Sequence, residues 1–273
     1  MKEKFYGRFD QTIVEDEIGR HIEEIAHRGL TFVHGCFSQG ELAIWRQKID
    51  SIYEKQENEF GRDILAAIQE LDVCRAPLLY DLDFVKLATH PKILSIVRHF
   101  LGDWFILNLQ NATIVRPGVR HHQSSWHRDF PYHSFIGSRP LAINALLAID
   151  EFSAESGGTN VVPFTHKTDV LPSDLYIEAN RIESAIPAGS AIVFDSMLFH
   201  RAGFNRSSAI RRSVNHLYTI PTIKQQYDFP RALAEQQQKL APDVLRLLGF
   251  AAEVPLDDKA WRKARAQRLQ RQA

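Results

Sequence analysis

The sequence predicts a mainly β domain flanked by helices. Between residues 104 and 222, short apolar strands recur between Gly, Pro, Ser and Asp turn signals, and on both sides of that region the hydrophobic period is helical. Size agrees: 273 residues, 44% of them hydrophobic, suit one sheet-based domain with helical additions and a large core. Short, regularly spaced strands behind a helical front point to a β-sandwich or barrel with helices packed outside.

The helical front comes first in the chain. From Thr12 to His27, residues Ile13, Val14, Ile18, Ile22, Ile25 and Ala26 fall at helical spacing with charge between them, and Gly29 stops the helix. LTFVHG reads as a short strand. Ser38 stands three before Glu41, a capping box that opens a helix through Leu42, Trp45, Ile49 and Ile52. The charged stretch 54–75 reads as a helix and a mobile connection. PKILSIVRHFLG is a helix begun by Pro91 and ended by Gly102. The period then changes to two. In WFILNLQNATIVRPG, Phe105, Leu107 and Leu109 share one face and Asn108, Gln110 and Arg116 the other, so the polar face is expected to line a cavity. Further strands are expected at RPLAINALLAID, GGTNVVP, RIESAIP, SAIVFDSMLFH and RRSVNHLYTIP. From Pro230 the chain returns to helix formers and ends in the basic KAWRKARAQRLQRQA, a solvated surface helix. The expected organisation is one domain over 1–273, with helical support over 1–103, a strand core over 104–222 and a helical tail over 223–273.

Lys+Arg and Asp+Glu both number 33, which gives no electrostatic reason to expect nucleic acid or an anionic membrane as partner. The basic residues are scattered or lie in the tail, so no basic surface groove is expected. No apolar run approaches the roughly 18 residues of a membrane span, and MKEKFYGRFDQTIVEDE lacks the apolar stretch of a secretory signal. A cytoplasmic protein acting on a small molecule is the expectation, as monomer or homodimer. Cys36 and Cys74 are far apart and in no CxxC arrangement, so two buried thiols are expected rather than a disulfide or a zinc site.

Residues 126–133, WHRDFPYH, set a His and an Asp among aromatics. In an extended segment residues i and i+2 point to one face, about 6.5 to 7 Å apart, so His127 and Asp129 can reach one ion while Arg128 points away. Two His and one carboxylate leave adjacent metal positions open, which is the arrangement of non-haem Fe(II) oxygenases. The pair alone is a weak signal, better explained by a surface ion pair or a satisfied core His, so a third ligand decides. His200, at the end of the apolar strand closing in MLFH, is the candidate. His121 and His122 are expected in a loop, His133 just beyond the pair, His166 after a turn, and His216 on the outward face of its strand. Arg211, Ser213 and Asn215 share a strand face, and a guanidinium beside a hydroxyl suits bidentate capture of a carboxylate.

These residues carry a resemblance. The chain resembles the phytanoyl-CoA dioxygenase-like family of Fe(II)/2-oxoglutarate-dependent oxygenases from about residue 12 to about residue 222. RGLTFVHGCFSQGELAIWRQKID and LATHPKILSIVRHFLG resemble its opening elements, W-His127-Arg128-Asp129 its iron-binding pattern, and SGGTNVVPFTHK its central turn, strand and loop. IPAGSAIVFDSMLFHRAGFNRSSAIRRS resembles its closing segment, with His200 at the distal iron ligand and Arg211 at the position that binds the far carboxylate of 2-oxoglutarate. Val162-Pro163-Phe164-Thr165-His166 stands where the family often has Pro-Gly-Ser-His, so that loop is expected to differ in shape.

The resemblance implies a double-stranded β-helix, a cupin-like jelly roll, over the strand core. It implies Fe(II) held by His127, Asp129 and His200, 2-oxoglutarate as cosubstrate held at its far end by Arg211 with Ser213, and O₂ as oxidant. The implied reaction is hydroxylation of an unactivated C–H bond of a small, polar or anionic metabolite, an amino acid or natural-product intermediate, with succinate and CO₂ released. Asp129 in place of Gly or Ala leaves no halide position, which argues for hydroxylation over halogenation. Asn108, Gln110, Arg116 and Asn144 are the expected substrate-aiming residues, and Val119–Ser125 an expected lid. A jelly-roll protein that keeps the metal but only binds or senses is the alternative. Intact ligands and an intact Arg211 favour the enzyme.

Overall fold

The computed structural model describes residues 12–130 and 136–270. The chain parts into two compact units after Tyr227.

The first unit opens with α1 (Glu17–Arg28), capped by the Asp16 side chain accepting from Gly19 N–H and closed by left-handed Gly29. Strand β1 (Leu30–Val33) follows, then α2 (Gln39–Phe60), whose capping box between Ser38 and Glu41 forms as expected. Residues 54–75 differ from expectation. Gly61 breaks the helix, α3 (Arg62–Ala67) restarts it, and Val73–Arg75 form β2 on the edge of the main sheet. Val73 and Cys74 are fully covered there, so burial rather than charge decides this stretch. Two further helices, α4 (Val85–Ala88) and α5 (Pro91–Leu101), complete the front.

Seven strands then build the roll: β3 (Ile106–Val115), β4 (Ala142–Ala148), β5 (Asn160–Val161), β6 (Ile182–Glu183), β7 (Ala191–Asp195), β8 (His200–Arg201) and β9 (Arg211–Thr219). A short helix, α6 (Asp174–Asn180), capped by Ser173, interrupts them. The large sheet runs β1-β7-β4-β9-β3-β2 and the small one β6-β5-β8, with every pairing antiparallel. The sheets face each other as a jelly roll, and Leu30, Phe152, Val161, Ile192, Phe194 and Leu198 form one buried apolar cluster. Two glycines allow the small sheet to seat. A Cβ on Gly158 would lie 1.9 Å from Ser184 O, and one on Gly203 2.3 Å from Gly158 O.

SAIVFDSMLFH is not one strand but two. Asp195 ends β7 by accepting Met197 N–H on Oδ1 at 2.9 Å and Leu198 N–H on its C=O at 2.8 Å, and this turn carries the chain from the large sheet to the small one. The outer face of the large sheet is covered by the helical front, where Ile25, Leu42, Ile49, Ile93 and Val97 are buried. His216 was expected on the outward face of its strand. It faces away from the cavity as expected and is fully buried under that layer, bonded to Gln110 Nε2 at 2.9 Å and Ala145 O at 3.3 Å.

The second unit holds α7 (Phe229–Ala232), α8 (Pro242–Leu247) and α9 (Asp258–Gln270). In α9, Arg262 pairs with Asp258 one turn earlier at 2.6 Å. No helix among the described residues is long and apolar enough to cross a membrane.

Candidate functional site

The turn after β7 delivers His200 to the small sheet, and there it meets His127. Each residue donates its N–H to the other's C=O at 3.0 Å, an isolated antiparallel bridge. Such a pair places both side chains on one face, and the ring centroids are 4.3 Å apart. Asp129 lies two residues on, with its Oδ1 3.7 Å from His127 Nε2 and 3.6 Å from His200 Nε2. The three ligand atoms fall within 4.8 Å of one another, and the described residues contain no other such group. His133 lies outside the described residues.

The remaining polar atoms are committed. Both imidazoles donate Nδ1–H to the carbonyl two residues back, Ser125 O at 2.8 Å and Leu198 O at 3.0 Å, which leaves each Nε2 lone pair directed at the cluster. Asp129 Oδ2 accepts from Asn144 Nδ2 at 2.6 Å and Asn215 Nδ2 at 2.9 Å, leaving Oδ1 for a ligand role. Burial pushes His127 down to about 4, with His200 adding to the effect, so the ring is neutral at pH 7. Burial opposes ionisation of Asp129, but the two histidines outweigh it and hold its carboxyl below the usual range. Burial likewise opposes protonation of His200, and the charge of Asp129 overcomes it. The cluster therefore attracts positive charge, and a divalent cation among two imidazoles and a carboxylate satisfies all three at once. The donor set fits ferrous iron.

Arg211 occupies the same cavity, whose volume is about 240 Å³. It is 2% exposed, its guanidinium lies 4.4 Å from the Phe152 ring, and its Nε and Nη1 have no hydrogen-bond partner among the described residues. Burial pushes it down to about 10, so it stays charged. A buried, unpaired guanidinium costs several kcal/mol, which an anionic partner would offset. Ser213 lines the cavity one step along β9, its Oγ 2.6 Å from Thr113 Oγ1.

The expected substrate residues are placed differently. A register shift between Leu107 and Leu109 and the pairing of β3 with β9 put Leu109, Asn111 and Thr113 on the cavity wall. Gln110 points to the helices, donating to Phe84 O at 2.9 Å, and Asn108 donates to Lys224 O at 2.9 Å. Arg116 pairs with Asp72 at 2.7 Å beside a separate hollow. Alternation shows that two rows exist; packing decides which row faces the cavity. Asn144 is fully buried behind Asp129 and donates to its Oδ2. In the expected lid, Gln123 lines the cavity and its C=O accepts from Ala202 N–H at 2.8 Å.

Two contributors were not anticipated. Asn215 shares the face of Arg211 and Ser213, and that shared face was its signal. Arg128 does point away from the cluster, but it is buried, donating to Met197 O at 2.7 Å, Thr165 O at 2.9 Å, Asp169 O at 3.2 Å and also to Thr168 O. Its guanidinium lies 3.9 Å from the Phe199 ring.

A jelly-roll cavity that brings two histidines and a carboxylate together with a buried guanidinium has the arrangement of Fe(II)/2-oxoglutarate-dependent oxygenases. The family model for phytanoyl-CoA dioxygenase (PhyH) matches residues 26–213, and the chain belongs to this family. Its cofactors are accordingly iron and 2-oxoglutarate, with O₂ as oxidant. An uncharacterised protein of Mycobacterium tuberculosis, Rv1501, is 33% identical over 252 residues, 86% of this chain and 91% of the relative. The dioxygenase olcK of Penicillium canescens is 30% identical over 173 residues, 59% of this chain and 56% of the relative. Among solved structures, the α-ketoglutarate-dependent carbocyclase SnoK of nogalamycin biosynthesis shares the fold with a TM-score of 0.60 and 16% identity, over 82% of this chain and 91% of that one. The epimerase SnoN, solved with Fe3+, α-ketoglutarate and nogalamycin RO, gives 0.57 and 19% over 75% and 84%.

Proposed function

We propose that this oxygenase hydroxylates an unactivated C–H bond of a small, polar or anionic metabolite, an amino acid or a natural-product intermediate, and releases succinate and CO₂. In this reading His127, Asp129 and His200 hold the iron, while Arg211 with Ser213 holds the far carboxylate of 2-oxoglutarate. The observation that carries it is the pairing, in one cavity, of the converging cluster with a buried guanidinium that has free donors.

Iron and 2-oxoglutarate, when bound, supply the oxidative chemistry that amino-acid side chains cannot. The chain's own residues orient and exclude water. Arg211 fixes the distance of the keto diacid from the cluster by a charge-assisted contact at the far end. Asn144 and Asn215 keep Oδ2 of Asp129 engaged, so that Oδ1 stays turned to the metal position. A cavity of about 240 Å³ that also holds the cosubstrate admits only a small reacting portion of substrate. Asn111, Gln123 and Thr159 give that portion a polar wall, which supports a polar target. The carboxylate of Asp129 supports hydroxylation over halogenation, because it occupies the position a halide would need.

Anaerobic addition of Fe(II) and then 2-oxoglutarate tests the assignment. A visible metal-to-ligand charge-transfer band is expected, lost in His127→Ala and in Asp129→Ala, with slow succinate formation in air. A band that survives both substitutions would overturn the ligand assignment. A metabolite panel read by substrate-dependent succinate release, with the product examined for an added oxygen, tests the substrate class and the hydroxylation outcome.

A further inference from the structure

A second basic site lies on the other side of the small sheet. Strand alternation puts His200 inside the roll and Arg201 outside, and the bridge between His127 and His200 sets Trp126 beside Arg201 in the same way. The Arg201 guanidinium sits 4.4 Å from the Trp126 ring. Across the sheet, Arg201 pairs with Asn160 and Asn160 with Glu183, so these side chains form one row on the outer face. Arg181 comes up beside this row and donates to Asn160 Oδ1 at 2.7 Å. Arg206 lies 5.6 Å from the Phe204 ring, and Arg120 enters from the preceding loop. Four arginines from three stretches of the sequence thus surround one groove of about 270 Å³, against a single carboxylate, Glu183. The expectation that no basic groove exists is corrected here: the arginines scatter along the chain but gather in space.

The pairing state of these arginines gives the groove its chemistry. Elsewhere the chain's arginines are largely matched with acids, as Arg46 with Asp150, Arg75 with Glu70, Arg116 with Asp72 and Arg212 with Asp50 and Asp150. In the groove only Arg181 has a carboxylate partner, Glu178 on α6. Arg120, Arg201 and Arg206 make no ion pair among the described residues. Two of them are held against aromatic rings, which pre-orients the planar forks and leaves their edges free to donate. Three unpaired guanidinium groups offer more donors than one carboxylate can accept, and they match a dianionic group with several oxygens.

We propose that this groove binds a phosphoryl group, either as free phosphate or diphosphate or as the phosphoryl handle of a small-molecule substrate. The site is distinct from the cluster inside the roll, although Ala202 borders both spaces. The binding claim does not rest on the proposed hydroxylation.

Calorimetric titration of the full-length protein with inorganic phosphate and with pyrophosphate, at fixed ionic strength, tests it. Saturable binding is expected, with pyrophosphate the tighter. The double substitution Arg120→Gln with Arg201→Gln should weaken it by about tenfold or more, the scale of losing charge-assisted hydrogen bonds. Arg206→Gln, at an exposed position, should weaken it without disturbing the fold, and Arg201→Lys should weaken it less than Arg201→Gln. Arg211→Gln should leave it unchanged, which separates this groove from the 2-oxoglutarate site. No saturable binding at millimolar phosphate, or the parent's affinity retained in both the double variant and Arg206→Gln, would overturn the proposal. Succinate release with metabolites presented in pairs, with and without a phosphoryl group, then separates the sources. A preference for the phosphorylated member that the double variant loses identifies a substrate handle. Binding without such a preference identifies a free anion.

Discussion

The two sides of the cavity are built from unlike parts. Arg211 and Ser213 stand on β9, a strand of nine residues held in the middle of the large sheet by β3 and β4. His200 stands on a strand of two residues, and His127 on a single bridge to it. A long central strand fixes a side chain through its own ladder. A two-residue strand cannot, so the metal side depends on side-chain bonds: carbonyls that lock both rings, amides that hold Asp129, and Arg128 clamping the backbone behind them. The difference teaches where each side should fail. The anion side should lose its ligand when its charge is removed and keep its fold, whereas the metal side should loosen when residues that touch no ligand are changed.

The largest effect is expected on the anion side. Arg211→Met removes a buried guanidinium whose Nε and Nη1 have no hydrogen-bond partner among the described residues, and truncating one partner of a desolvated charge pair costs about 2 to 5 kcal/mol. Binding of 2-oxoglutarate should therefore weaken by roughly 30-fold to several thousand-fold. The ligand-free protein should be no less stable, and its melting temperature should rise, because an unpaired buried charge has been replaced by an apolar side chain of similar length. Scanning calorimetry with and without 2-oxoglutarate checks both halves. A ligand-free variant with a sharply lower melting temperature would mean that Arg211 also holds the roll together, and the comparison would break.

On the metal side, Asn144→Ala and Asn215→Ala should each cost about 10- to 100-fold in iron affinity, the scale of losing a partner that orients a ligand. Iron titration followed by the charge-transfer band reads this directly. The double variant should lose less than the product of the two, since Asn144 Nδ2 also donates to Asn215 Oδ1 at 3.0 Å and the pair acts as one unit. Independent losses would show that the two amides hold Asp129 separately.

The sequence made the ends of this chain of causes legible and hid the middle. His127, Asp129, His200 and Arg211 could be singled out because each belongs to a chemical type that needs a partner, and strand period placed each on a face. The capping box at Ser38 and the stop at Gly29 were legible because they act within one turn of chain. The role of Asn144 was not, because an amide on an apolar strand looks the same whether it meets substrate or a neighbouring carboxylate. The cavity row of β3 was not, because a register shift at residue 108 and burial under the helices decide between two rows with equal alternation. The break of SAIVFDSMLFH at Asp195 depends on an Asx-type turn inside an apolar run, where composition gives only a weak signal.

Arg128→Met sharpens the same comparison at lower amplitude. The substitution keeps the bulk over Phe199 but removes donors to four backbone carbonyls in two segments. Leaving buried acceptors unpaired should lower stability by about 2 to 4 kcal/mol. Iron affinity should fall several-fold with it, since Met197 lies in the turn that leads to His200 and Phe199 directly precedes His200. Denaturant unfolding and iron titration on one sample give both numbers. Full iron affinity in a destabilised variant would show that the clamp serves the fold alone.

The smallest effect tests the outer face of β9, opposite Arg211. His216 is fully buried, and burial pushes it down to about 4 against an ordinary value near 6.5. Gln110 donates to its Nε2, so the ring is held neutral with Nδ1–H turned to Ala145 O. Above pH 6.5 the ring is neutral in both folded and unfolded chain, and its contribution to stability is fully present. As the pH falls from about 6.5 to about 4 the unfolded chain takes up a proton that the folded ring refuses, so stability falls, by at most about 1.4 kcal/mol per pH unit for one group. His121 and His166, pushed down by burial to about 3 and about 4, act in the same direction and steepen the curve. His216→Gln keeps hydrogen-bonding atoms in place but cannot titrate, so urea unfolding of the metal-free variant should show a shallower fall across that window and no change in slope above it. An identical slope in variant and parent would mean that His216 accepts its proton inside the fold, and that the helix-covered face of β9 is as open to charge as the cavity face is to anions.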